Sequence, residues 1–562
     1  MSIRLIVQEY LGLLKESKEL DELLPILLAA MGLVNVSGAQ RGTRQYGVDV
    51  AAVGKDHDGK KKLFLFVIKC GDINRSTWTS GPQAVRPSLE DIRDVYLPTH
   101  VSPEYKRLPK KVVVVTNGQV KQELQLTYSQ YCFRWTSQTK VQLDTWGGEK
   151  LAELIEHYLL DEFVFPPPGR SALRRGLSTL DNPALSVEHF ESFFQSFCNA
   201  DRLRGLAKSR IRKEVVKILW ACALGLTIYC RWAETEGNMQ PALLASERAV
   251  LIAWDFLRKS SCLDEQGSLK AYARVFVAML EVAGGYALKL TPYYATDHGF
   301  ASIYHDNIFV NEVIFDELGK LGLYGSIWSI LKETDTSDLA KRQSDKYAEL
   351  VKALLSTHTI SNGPCYDNQA IDIALAMLLL IRTGNTSTAK EWLNRLINRI
   401  GLGKKFKRHF PIDSDSFDDL IAVRITGEME PDKVATMSTL IPLLAQLCVM
   451  LDSEADYANL RKNLLPLFQR ATLQLWYPDS KFEELFVHGR AHRESGVAVA
   501  PYVLPESFDV YKSKALAIPP GAAAITEFEF SKKGVPWLPL VFSRHYRCPV
   551  PVWYFERQTA RE

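Results

Sequence analysis

The segment KKVVVVTNG, Lys110–Gly118, constrains this chain more than any other. Four consecutive β-branched valines leave no polar position for solvent. The strand they favour must therefore be central and covered on both faces. Thr-Asn-Gly then supplies a turn. Such a strand calls for neighbours on either side and helices packed over the sheet. The surrounding sequence offers them. A helical pattern runs from Ile3 to Met31 with a break near Ser17, and Gly32 is its stop. Two apolar stretches follow, YGVDVAAVG (Tyr46–Gly54) and LFLFVIKCGD (Leu63–Asp72). The polar, glycine-containing KDHDGKKK between them reads as a hairpin connection. SGPQAVRP leads to a helix near SLEDIRDVY. Beyond the valine strand, KVQLDTW reads as a short strand and GEKLAELIEHYLLDEF as a helix. The expected fold of residues 1–165 is α/β, a mixed sheet flanked by helices. FPPPG, Phe165–Gly169, is expected to close it as an extended linker, because three prolines cannot continue a helix.

At 562 residues the chain exceeds a single core, and about three domains are expected. Residues 171–479 carry helical patterns such as KEVVKILWACALGLTIYCRWAE and STLIPLLAQLCVMLDSEADYANL, with no repeat period. This region reads as a large all-α sensing or assembly domain. Residues 480–562 shift in composition. VAVAPYVLP, TEFEFSK, PLVFSRHY and PVWYFERQ read as short strands between prolines, hence a small β-rich C-terminal cap.

The net charge of +3 confines any nucleic-acid surface to a local patch. Nine cysteines without CxxC pairs argue for reduced thiols and a cytoplasmic location, and against zinc fingers. The charged N-terminus reads as a helix rather than a signal peptide. The apolar runs ILWACALGLTIYC and IALAMLLLI are too short to cross a bilayer and read as buried helices, so no membrane is expected. Neither a GxxxxGK[ST] phosphate loop nor a GxSxG elbow occurs. HGRAH, with His488 and His492, reads as a cap or solvent-facing pair rather than a metal site.

Within the hairpin, side-chain alternation puts Lys69, Val67 and Leu65 on one face, and Asp49 can meet that face across the pair. An acid beside a lysine is either a solvated salt bridge or the core of a metal-dependent phosphodiesterase. In the latter a divalent ion polarises phosphate and activates water while a lysine stabilises charge. GVD (Gly47–Asp49), VIK (Val67–Lys69), the helix after it, VVVVTNG and the closing DTWGGEKLAELI stand in an order that resembles the Mrr-type restriction endonuclease branch of the PD-(D/E)xK nuclease superfamily. The resemblance covers about the first 165 residues. It implies a restriction-endonuclease-like fold and Mg2+ or Mn2+ as cofactor, with Asp49 as metal ligand and Lys69 as catalytic cation. It also implies a DNA endonuclease subunit of a bacterial anti-phage defence or restriction system.

The departure is Val67, where the family carries Glu, Asp or Gln. Family members that draw an acid from the first helix point to Glu19 and Glu22 as catalytic substitutes, Glu22 as a metal ligand. Asp72 is a further metal candidate, and Gln83 a weaker one. Without such a substitute the domain is a degenerate nuclease fold that binds nucleic acid or serves as a scaffold. The implied partners are DNA and a separate ATPase or sensor subunit; oligomeric state is left open, a homo-oligomer included. DRLRGLAKSRIRKEVVK, Asp201–Lys217, read as one helix, sets Arg204, Lys208 and Arg212 at four-residue steps, widened by Arg210, Lys213 and Lys217. This stripe is either a phosphate-contacting surface or a solvated face. GLGKKFKRHFP, Gly401–Pro411, is a second basic patch, offset by the acidic DSDSFDD that follows.

Overall fold

The computed structural model describes residues 3–37, 46–80, 84–159, 165, 167–333, 338–406, 411–414, 416–426, 436–487 and 496–555. Gln83, the HGRAH pair and part of the second basic patch lie outside them. The chain divides into two compact units, Met1–Ala278 and Met279–Glu562.

The first unit opens with α1 (Ile3–Gly12), a π-helical turn (Glu16–Leu20) and α2 (Asp21–Ala30), so the expected break at Ser17 falls inside the π turn. Gly32, at φ 78°, stops the helical segment in the left-handed region that suits glycine. Five strands follow: β1 (Val34–Ser37), β2 (Val50–Lys55), β3 (Lys61–Lys69), β4 (Lys110–Thr116) and β5 (Gln142–Trp146). They pair in sequence order. β1–β2 and β2–β3 are antiparallel, and β3–β4 and β4–β5 are parallel. The sheet is thus mixed, with the long β3 and the valine strand β4 at its centre.

Alternation covers both faces. Ala51, Leu63, Leu65, Val67, Val112 and Val114 enter a core with Trp78, Leu89, Leu124 and Trp135. Residues of the other parity, including Phe66, Val113 and Val115, are equally buried, and Phe66 meets Trp146 at 5.3 Å between ring centroids. The connecting helices are α3 (Arg75–Thr79), α4 (Val85–Asp91), α5 (Gln122–Thr139) and α6 (Gly148–Tyr158). β1 and α5 were not expected. α5 buries only Leu124, Tyr128 and Trp135 of its eighteen residues, too sparse a stripe to announce itself.

The proline run does not form an extended linker. α7 spans Pro167–Ser178, so the prolines open a helix, where a missing N–H costs nothing. α8 (Pro183–Phe197), α9 (Lys208–Thr235) and α10 (Gln240–Lys259) complete the first unit's helices, and α11 (Gln266–Ala295) runs across the division. The run ILWACALGLTIYC sits inside the 28-residue α9, so the helix is longer than the run itself. By length and composition α9 and α11 could each cross a membrane, and 61% of each apolar window is buried inside the protein.

The second unit is mainly helical and centres on Asn307–Leu331 and Ala370–Arg382, the latter buried at nearly every position. Towards the C-terminus there are two short strand pairs: Met437–Ser438 with Thr472–Leu473, and Leu475–Tyr477 with Val497–Val499. The β-rich cap is corrected accordingly. Of its four expected strands only VAVAPYVLP contributes one. TEFEFSK folds as a 3-10 turn and the helix Glu529–Lys532, PLVFSRHY lies in the helix Leu538–Tyr546, and PVWYFERQ holds a 3-10 turn at Val552–Phe555. A continuous apolar run fits a buried helix as well as a strand, and Pro539 sits at the start of its helix.

Candidate functional site

Gly47 begins the site. Its φ is 82°, and a Cβ there would stand 2.1 Å from the Ser88 carbonyl oxygen, so only glycine lets the chain pass α4 and enter β2. Asp49 follows after the buried Val48. Its N–H donates to the Phe66 carbonyl at 2.9 Å, and its carboxylate Oδ2 accepts the Ile68 N–H at 2.7 Å. The acid is thereby held against the C-terminal end of β3, next to Lys69. Burial raises its pKa above the ordinary carboxylate value. The Ile68 N–H and the Lys69 charge oppose that rise, while Glu16 and Asp21 add to it.

The helical segment is fixed to the same end of the sheet by Asn117, just past β4. Its side-chain amide donates to the carbonyls of Leu11 and Leu14 at 2.8 and 2.9 Å, and its Oδ1 accepts the Gly71 N–H at 2.7 Å. The Cys70 thiol donates to Leu14 O at 3.3 Å. The π turn that follows packs against β3. In that turn the Asp21 N–H donates to Glu16 O, an i to i+5 bond that draws these two acids to one side. Asp21 Oδ1 is buried and has no hydrogen-bond partner among the described residues. The half-buried Lys69 makes no ion pair among the described residues, although its charge reaches Asp49.

The other acids named from sequence lie elsewhere. Glu19 pairs with Lys217 and accepts the Lys15 N–H at 2.7 Å. Glu22 is exposed, and both line a cavity walled by α1, α2 and α7–α9. Asp72 pairs with Lys121 at 2.8 Å and accepts the Gln119 N–H at 2.9 Å, which together hold its carboxyl below the usual range. The acids that act on Asp49 are therefore Glu16 and Asp21. Five-residue spacing across the expected break was the signal for them. Among the described residues no three His, Cys, Asp or Glu side chains converge as a ready-made metal cluster. Val67 is wholly buried in the apolar core and offers no space for a ligand.

The basic stripe is not one helix. Arg204 follows a 3-10 turn (Ala200–Leu203), Gly205 reverses the chain at φ 79°, and α9 begins only at Lys208. Arg204, Lys208 and Arg212 nevertheless border one cleft of about 360 Å³, together with Lys259. Arg204 pairs with Asp201 at 2.7 Å and Arg212 with Glu265 at 2.6 Å. Lys208 and Lys213 are exposed, without ion pairs among the described residues.

No family model, curated protein or solved structure matches this chain.

Proposed function

We propose that the N-terminal α/β region is a magnesium- or manganese-dependent phosphodiesterase acting on DNA, of the PD-(D/E)xK type, serving anti-phage defence or restriction. One observation carries this reading: the desolvated Asp49 carboxylate has Asp21 near enough to act on it, with a buried Asp21 oxygen left unpartnered among the described residues. Two acids in that state are costly without a cation. Mg2+ commonly takes one or two carboxylates and fills its shell with waters and substrate phosphate, so a pair of acids suits it. Asp49 and Asp21 would hold the ion, which when bound polarises the phosphate and lowers the pKa of water.

The remaining work falls to the chain's own groups. The Ile68 N–H fixes the Asp49 carboxylate, leaving its other oxygen free of that bond. Lys69, without a competing partner among the described residues, is available to bind a phosphate oxygen and stabilise charge developing in the transition state. Arg204, Lys208, Arg212 and Lys213 are assigned to contacts with the phosphate backbone.

The test is cleavage of plasmid and linear DNA by the full-length chain with Mg2+ or Mn2+. Cleavage abolished by chelation, by Asp49→Asn and by Lys69→Ala is expected. Cleavage unaffected by both substitutions would refute the assignment. A second reading, a degenerate nuclease fold acting as a nucleic-acid-binding scaffold, draws support from the buried Val67. Salt-dependent DNA binding by a well-folded chain without metal-dependent cleavage would favour it.

A further inference from the structure

The acids of the segment Glu16–Glu22 divide into two sets. Glu16 and Asp21 act on Asp49, whereas Glu19 and Glu22 line a separate cavity of about 300 Å³. Its walls are mostly apolar, with Leu14, Leu23, Ile26 and Ile218 among them. Three aromatic rings contribute. Tyr10 and Phe165 lie 6.0 Å apart between centroids at 54°, and Phe165 and Phe197 lie 6.1 Å apart at 63°. The rings are thus tilted towards one another rather than stacked. Phe165 is held through its carbonyl, which accepts from Arg170 Nε at 3.2 Å. Phe197 lies against bare backbone: a Cβ on Gly169 would meet its ring at 2.4 Å, so glycine there makes room for it.

The polar groups are unequally satisfied. Glu19 is neutralised by Lys217, and Glu214 takes Lys15 at 3.3 Å. Glu22 has no partner among the described residues. Tyr10, only 3% exposed, lines the same cavity. Burial, then the Glu19 charge, disfavours its ionisation, so the phenol remains neutral, with a lone pair and a proton to offer. Mutually tilted aromatic faces, an unspent carboxylate and a buried hydroxyl make up the chemistry that recognises alkylammonium groups.

We propose that this cavity is a binding site for a small organic cation, an amine or quaternary ammonium on an apolar body. The cationic head meets the ring faces and Glu22, and the apolar body meets the leucine and isoleucine wall.

The test is calorimetric titration of the full-length chain with choline, with its neutral carbon isostere 3,3-dimethylbutan-1-ol, and with hexanoate. Saturable choline binding at least about tenfold tighter than that of the isostere is expected. Glu22→Gln should weaken it by about tenfold and Phe197→Leu by a few-fold, in variants whose melting curves match the parent. Asp49→Asn should leave it unchanged, which separates this site from the proposed hydrolytic one. Equal binding of the isostere, tighter binding of hexanoate, indifference to both cavity substitutions, or no saturation below about 10 mM would each overturn the proposal.

Discussion

The two ends of strand β3 present acids and lysines in opposite states. At its start the charges close on themselves. Lys62 meets Asp56 at 2.7 Å and Asp58 at 3.0 Å, and Lys111 meets Asp56 at 3.4 Å and Asp144 at 3.1 Å. Burial works against the Asp56 charge, but hydrogen bonds from Lys62 and the His57 N–H, with the Lys111 charge, hold its pKa down at about 2. At the far end Asp49 is pushed the other way, by burial first and by Glu16 and Asp21 besides, against the Ile68 N–H and the Lys69 charge, and Lys69 makes no ion pair with it among the described residues. Completed pairing is the mark of a structural cluster. Buried acids gathered without a completed ion pair among the described residues mark a place whose complement comes from outside.

The largest effect is expected between these ends. Val67→Glu would place a carboxylate in the apolar core among Leu65, Val112 and Val114. It should cost about 3–5 kcal/mol and abolish the first unit's cooperative melting. A folded Val67→Glu chain with gained cleavage would instead mean that this position can reach the site.

Next come substitutions that separate the two ends by readout. Lys69→Ala and Asp49→Asn should lower metal-dependent cleavage by about 100-fold or more while shifting stability by only about 0.5 kcal/mol. Asp56→Asn should do the reverse, leaving cleavage unchanged and costing about 1–2 kcal/mol of stability. If the cleavage effects were exchanged, the division between structural and functional ends would be wrong.

Acid titration should divide them too. Asp56 has a folded value below its unfolded one, so its stabilisation is present above about pH 4 and disappears as pH falls through about 2. Asp49 has a folded value above its unfolded one. Its contribution to stability is therefore greatest at low pH and declines as pH rises through that raised value. Metal binding requires the ionised acid and should strengthen over the same interval. Urea unfolding and metal titration across pH check both signs. The smallest effect concerns the basic cleft. Arg204→Ala, Lys208→Ala and Arg212→Ala together should flatten the dependence of log affinity for DNA on log salt by up to about three contacts' worth.

Much of the sheet was legible because its signals are local. The valine run, the polar hairpin loop and Gly32 each specify their own conformation. β1 escaped because four residues with Val34 exposed carry little pattern, and the C-terminal helices because dense apolar runs suit helix and strand alike. The same limit governs the site. Asp49 and Lys69 could be named from the hairpin, since strand alternation is short-range. Choosing among Glu16, Glu19, Asp21 and Glu22 required the phase of the helical segment. The π turn resets that phase, turning Glu16 and Asp21 towards the site, while Glu19 and Glu22 line the cavity. A single helix through Arg204 suits the sequence because nothing but Gly205 signals the reversal before Lys208.

The most direct measurement is Mn2+ binding to the full-length chain, followed by electron paramagnetic resonance, in the parent, Asp21→Asn, Asp49→Asn and Asp56→Asn. Saturable binding in the parent is expected, weakened by at least about tenfold in Asp21→Asn and Asp49→Asn and unchanged in Asp56→Asn. Absence of binding in the parent, or binding indifferent to both Asp21→Asn and Asp49→Asn, would contradict a metal site at the C-terminal end of β3.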